Sequence, residues 1–362
     1  MPAPQGTEIL QFHCPIAVCG SRIAWAAGKW LVIYNMGTKT FERELAENGS
    51  HSDTIRAIAF SEDGQSVATA GEDKRVIVHS ESEEKQFLHG KKIMAVHIDE
   101  TRTVVFGDKF GDFYRMNRDA MGVAGQEIAE VVEQEEENDD DDEETTKGIE
   151  LMFGHISAIS TSLYSSKRNL LISADRDEKI RIGRYPRADI IESFLLKHRR
   201  YVSHLVWGNA EHTLLISAGA DGQIIEWDIS DCCSPNVNRV HQVGLDETGF
   251  HTVTCDSSRI YFVPVDDAKK LCVVEKNDGE IRKWTMPFEI QAIKNVGVSL
   301  IAIDTHSHMH VIDTETGSVK ESIRLPRDVA GVPISYLKLV HHENLNGEER
   351  ESKRKKKGGP FS

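Results

Sequence analysis

Short apolar runs separated by turn residues recur along this chain. Val202 to Trp207, Leu214 to Ala218 and Ile224 to Asp228 are three consecutive examples. Each is too short for a helix of ordinary length, and each is bounded by polar or glycine-containing segments. The pattern predicts short β-strands joined by tight turns.

The same region carries a spaced set of polar residues. His198 is followed 23 residues later by Asp221, and six residues after that by Trp227-Asp228, with Ser217 between them. A His, a Ser or Thr, an Asp and a Trp at this spacing spell one blade of a WD-repeat β-propeller. Worn copies appear elsewhere. His51, Thr69 and Asp73 repeat the set with His79 in the tryptophan slot, and His155, Ser173 and Asp177 repeat it with Gly183 there. Asp278 to Trp284 keeps the Asp and the Trp, while Gly28–Tyr34, Phe110–Met116 and His306–Ile312 align more weakly. Seven units result. The predicted fold is all-β: a seven-bladed WD-repeat propeller over residues 10–342. The spacing is uneven near its end, with 57 residues from Asp221 to Asp278 and 28 from there to His306.

His198, Ser217, Asp221 and Trp227 have the look of a catalytic set. Catalysis requires a nucleophile in an open pocket beside an oxyanion donor, and a propeller blade offers neither. A hydrogen-bonded chain that braces the strands is the expected role, since buried polar groups must be paired. Asp304, His306, His308 and His310 alternate, so in a strand they would share one face, which is a metal-compatible arrangement. No ordered fourth ligand is evident, and no metal site is expected. No glycine-rich phosphate loop, nucleophile elbow or HExxH is present. An enzyme in this chain alone is therefore not expected.

At 362 residues the chain accommodates seven blades of about 45 residues. No run reaches 18 apolar residues, so no membrane helix is expected, and Met1 to Gly6 lacks the features of a secretory leader. Six scattered cysteines without a CxxC pair read as reduced thiols of an intracellular protein. The net charge of −15 is concentrated: ten of the twelve residues 133–144 are acidic, leaving the remainder near −5. Residues 125–148 are expected to form a disordered acidic loop between the third and fourth units. It either solubilises the chain or mimics nucleic-acid charge toward a basic partner. Residues 343–362 form a tail of opposite sign. Lys353, Arg354, Lys355, Lys356 and Lys357 suit a nuclear localisation signal, a tRNA phosphate contact, or both, and the nucleus is the expected location.

One stretch is more specific than the repeat. Leu171 to Ile182 contains Ala174-Asp175-Arg176-Asp177-Glu178-Lys179-Ile180-Arg181, followed by Ile191-Glu192-Ser193-Phe194 and then His198 to Ser203. This run resembles the WD-repeat, non-catalytic subunit of the eukaryotic tRNA guanine-N7 methyltransferase. It departs in having Lys197-His198 for Gly-His and Tyr201-Val202-Ser203 for Phe-Val-Ser. The resemblance implies a heterodimer with a Rossmann-like catalytic subunit that binds S-adenosylmethionine and tRNA and forms N7-methylguanosine in the tRNA variable region. This chain would hold that enzyme in its active conformation and would bind no cofactor itself. Carried over residue by residue, the docking strand corresponds to Glu178, Lys179 and Arg181, flanked by Asp175 and Arg176. A bracing role for Arg181 stands beside that reading. A generic WD-repeat scaffold in another nuclear complex is the alternative, and it leaves the Asp-Arg-Asp-Glu-Lys stretch unexplained.

Overall fold

A computed structural model of the chain describes residues 9–12, 14–43, 51–81, 83–123, 148–243, 249–325 and 336–339. The lysine and arginine run at 353–357 and all but the last residue of the acidic segment lie outside them.

The apolar runs form seven four-stranded antiparallel sheets arranged as a closed propeller. Blade one comprises Ile16–Cys19, Arg22–Ala27, Trp30–Asn35 and Thr40–Arg43. Blade two runs from Ile55–Phe60 to Glu84–Leu88, and blade four from Ile159–Ser165 to Ile191–Leu195. Blade five runs from Val202–Trp207 to Asn236–Gln242, blade six from Phe250–Cys255 to Ile281–Thr285, and blade seven from Ile290–Val296 to Val319–Ile323. The first strand of each blade packs against the first strand of the next, and that of blade seven against that of blade one. Second and third strands are apolar on both faces because each blade is covered by a neighbour on either side. Leu170–Asp175, for example, is buried throughout.

Many propellers exchange a strand to close the ring. Here, among the described residues, each of the seven blades holds four strands of its own. Closure rests on a shared core in which Ile23, Trp25, Val32 and Tyr34 of blade one pack with Ala292, Ile301, Ile303 and Met309 of blade seven. The Trp25 indole N–H donates to the Ser307 carbonyl at 3.0 Å, which latches the two blades together. Ile9–Phe12 and Tyr336–Leu339 pair with each other as a separate two-stranded ribbon.

Two expectations are corrected. The acidic segment interrupts blade three rather than separating units three and four. After its third strand, Asp112–Asn117, the chain makes one turn of 3-10 helix at Arg118–Ala120, and Gly122–Val123 then adds to the outer edge of blade two, opposite Gln86 and Lys85. The chain next returns as Ile149–Gly154, the fourth strand of blade three. Arg118 pins the crossing: its buried guanidinium donates to Ser80 Oγ at 2.9 Å. The second correction concerns blade six. Asp278 lies between the third and fourth strands, Lys270–Glu275 and Ile281–Thr285, not in the central hairpin. That hairpin joins Arg259–Pro264 to Lys270–Glu275, and the shifted turn accounts for the 57- and 28-residue intervals.

Candidate partner-binding face

In blades two, three, four, five and seven the central hairpin carries a histidine–carboxylate network, and these networks fix which residues remain for a partner. In blade five, His198 Nδ1 lies 3.1 Å from Asp221 Oδ1, and its Nε2 lies 2.8 Å from Ser217 Oγ. The Trp227 indole donates to the same Ser217 Oγ at 2.8 Å. All four residues are buried. In blade two, His51 bridges Asp73 and Thr69 at 2.8 Å each, and His79 takes the tryptophan's place, 3.0 Å from Thr69 Oγ1. Burial pushes His79 down to about 4, so the imidazole is neutral near pH 7. Asp73 and Asp221 feel burial pushing their carboxyls up, but bonds from histidine and backbone amides outweigh it and hold them below the usual carboxylate range.

Blade four uses a different carboxylate from the one its spacing implies. His155 Nδ1 meets Asp175 Oδ2 at 3.0 Å and its Nε2 meets Ser173 Oγ at 2.7 Å, while Asp177 is exposed. Asp175 stands at the end of its strand, where blade five has Gly219. Its second oxygen accepts the amides of Asp177 and Lys179 at 3.0 and 3.2 Å. Asp108 and Asp304 make the same turn in blades three and seven, accepting amides two and four residues on. Asp304 also meets His310 Nε2 at 3.0 Å. His306 and His308 therefore sit in a turn rather than along a strand, and among the described residues no three potential ligands are grouped to hold a metal.

These placements revise the docking set. Asp175 is buried in the blade network and offers nothing to a partner. Arg181 is buried as well: its Nη2 donates to the carbonyls of Ala188 and Asp189 at 2.6 and 3.2 Å, and its guanidinium lies 3.9 Å over the Phe153 ring. It braces the blade, and burial lowers its affinity for a proton. Arg176 and Glu178 are exposed and Lys179 is half-buried, so the accessible part of the set is the hairpin tip.

That tip carries a backbone cost. Glu178 adopts φ +72°, a left-handed conformation. Gly111 and Gly222 occupy the corresponding slot in blades three and five, where no Cβ opposes it, and Lys74 and Ser307 take it with positive φ in blades two and seven. A glutamate there costs about 1 kcal/mol.

Residues 116–274 match the model described as tRNA methyltransferase TRM82 WD40 domain, a little under half the chain, and residues 42–80 match the WD domain, G-beta repeat. The "tRNA (guanine-N(7)-)-methyltransferase non-catalytic subunit wdr4" of Dictyostelium discoideum is 31% identical over 195 residues, which is 51% of this chain and 39% of that protein. The TRM82 subunit of the same description from Meyerozyma guilliermondii is 33% identical over 184 residues, 48% of this chain and 39% of the relative. The chain thus spans about two fifths of the length of these curated relatives. Among solved structures, the Myceliophteria thermophila Cps50 (Swd1) β-propeller domain superposes with a TM-score of 0.65 at 12% identity, covering 83% of this chain and 96% of that one, a likeness of fold alone. The part of the chain from the third strand of blade three to the third strand of blade six, residues 116–274, is thus similar to the TRM82 WD40 domain.

Proposed function

We propose that this chain is the non-catalytic subunit of a tRNA guanine-N7 methyltransferase heterodimer. The match of residues 116–274 to the TRM82 domain carries the reading, and the exposed Arg176–Lys179 hairpin tip supports it as a docking element. S-adenosylmethionine would bind the catalytic partner, with no cofactor in this chain. A propeller that binds the enzyme's active conformation more tightly than its inactive one shifts the population toward activity, by no more than that difference in affinity. A tip bearing both signs supplies orientation and specificity against a matching charged surface. Residues 353–357 would add nuclear import or a salt-sensitive attraction to tRNA phosphates.

The test is methylation of unmodified tRNA by the cognate catalytic subunit with and without this chain. Activity that requires both chains is the expected result; full activity of the catalytic subunit alone refutes the role. For the site, Glu178→Gly is the informative variant. It relieves the left-handed strain and removes the charge, so the propeller should keep or gain stability while association weakens. An exposed ion pair contributes up to about 1 kcal/mol, roughly fivefold in Kd. Unchanged affinity in both Glu178→Gly and Lys179→Glu removes the tip from the interface.

A further inference from the structure

The central hairpins and the loops that enter each blade meet at one end of the propeller. The amide of Lys109 donates to the Lys92 carbonyl, His155 to Gly111, Arg176 to Ala158 and Ala220 to Tyr201. Between blades two and five this end has an unusual surface. Phe110, at the tip of the blade-three hairpin, is 56% exposed, and Ile156 in the adjoining loop is 94% exposed. The Nζ of Lys109 lies 4.9 Å from the Phe110 ring centroid and that of Lys91 lies 5.3 Å from it. Lys74, Lys109, Lys197 and Arg199 are all exposed on this arc, and among the described residues none of them forms an ion pair. Among the described residues, the exposed acids of the arc are Asp53, Asp177 and Glu178. These cations outnumber the arc's exposed acids, although the chain outside residues 133–144 still carries a charge near −5.

An open aromatic ring flanked by ammonium groups is the combination that holds unpaired nucleotides: the ring stacks on a base and the cations meet its phosphates. We infer that this end of the propeller contacts an unpaired segment of RNA, with Phe110 stacking on a base and Lys109 meeting the adjoining phosphate. The inference rests on the tRNA reading above and adds a nucleic-acid surface on the blades themselves, separate from residues 353–357. Lys91 takes a mainly structural part, because its Nζ also lies 3.7 Å from buried Asp108.

The experiment measures binding of a fluorescent, unmodified tRNA transcript to the full chain by anisotropy across a salt series. It is repeated in a chain whose cations at 353–357 are replaced by alanine. In both backgrounds Phe110→Ala is expected to weaken binding by about 5- to 100-fold, and Lys109→Glu to weaken it and lower the salt slope by about one. Both residues are exposed, so the fold tolerates either change, and Val298→Ala, an apolar change at an exposed site elsewhere, should bind as the parent does. Parental affinity in both variants overturns the inference. Displacement of the tRNA by polyglutamate equally from the parent and from Phe110→Ala also overturns it, in favour of an acidic polypeptide. Stimulated methylation alongside unaltered Phe110→Ala binding would sink this site alone, whereas absent stimulation by the parent chain would sink the accessory role.

Discussion

Replacing Asp175 with alanine should unfold this propeller far more readily than replacing Asp177, although the two stand two residues apart in one turn. The Asp175 carboxylate accepts three hydrogen bonds, from His155 Nδ1 at 3.0 Å and from the amides of Asp177 and Lys179 at 3.0 and 3.2 Å. His155 and Asp175 have almost no side-chain exposure, at 4% and 3%, so water cannot replace the lost acceptor at the imidazole. A buried donor left without a partner costs about 1–3 kcal/mol. The two amides lie nearer the surface and recover part of their loss through solvation. The sum for Asp175→Ala is about 3–4 kcal/mol. Asp177 is exposed, and no side-chain bond from it braces the blade, so Asp177→Ala should stay within about 0.5 kcal/mol of the parent. Urea unfolding followed by tryptophan fluorescence reads both values on the same scale. Equal losses in the two variants, or a larger loss for Asp177→Ala, would refute the assignment of the blade-four carboxylate.

Acid should loosen the fold before any carboxylate titrates. Burial pushes His79, His97 and His251 down to about 4, below the value of about 6.5 they have when unfolded. The unfolded chain therefore binds protons that the folded one refuses between those values. Stability is full above pH 6.5 and falls as pH drops toward 4, by up to roughly 3 kcal/mol for each such group. A urea midpoint that is flat from pH 7 to pH 5 would contradict this, and His97→Gln should shallow the slope. Trp25→Ala removes both a fully buried ring and the hydrogen bond to Ser307. A loss of about 3–5 kcal/mol is expected, with faster amide hydrogen exchange confined to blades one and seven; exchange that accelerates evenly in all blades would show that the latch is not local.

The seven central hairpins were largely legible because their turn chemistry repeats, and Trp227 with His198 marked the register of blade five. The failures have specific causes. Ser173 to Asp177 has the same spacing as Ser217 to Asp221, but the carboxylate that reaches the histidine depends on the residue at the strand end. Blade five has Gly219 there, where a Cβ would sit 2.5 Å from His198 Nδ1, whereas blade four puts Asp175 in that place and uses it. In blade six, Asn277-Asp278-Gly279 is a strong local turn signal that ends at a tryptophan, but the turn is the outer one, and Trp284 packs over Gly317 of blade seven. The true hairpin, Val265-Asp266-Asp267-Ala268-Lys269, has no glycine to announce it. Arg181 enters the docking set only through the resemblance, and its spacing between two isoleucines is equally that of a bracing residue. Its partners, Phe153 and two backbone carbonyls, come from other strands and loops and leave no trace in local spacing. In sequence Phe110 is only a repeat marker, and its exposure follows from three-dimensional placement.

Because, among the described residues, each blade holds four strands of its own, each sheet except the second and third is complete as soon as its own residues have left the ribosome, the second awaiting only the edge pair Gly122–Val123. The sheets can therefore assemble in order of synthesis, each with local pairings and little waiting. Blade three is the larger exception: its outer strand arrives only after residues 118–148 have emerged, and until then blade two faces a three-stranded neighbour. The ring closes with the meeting of Trp25 and Ser307, 282 residues apart, which joins two finished surfaces rather than threading a strand. An interruption of synthesis anywhere before blade seven would leave a stack of folded blades with two open faces, the form most prone to associate with a second copy of itself.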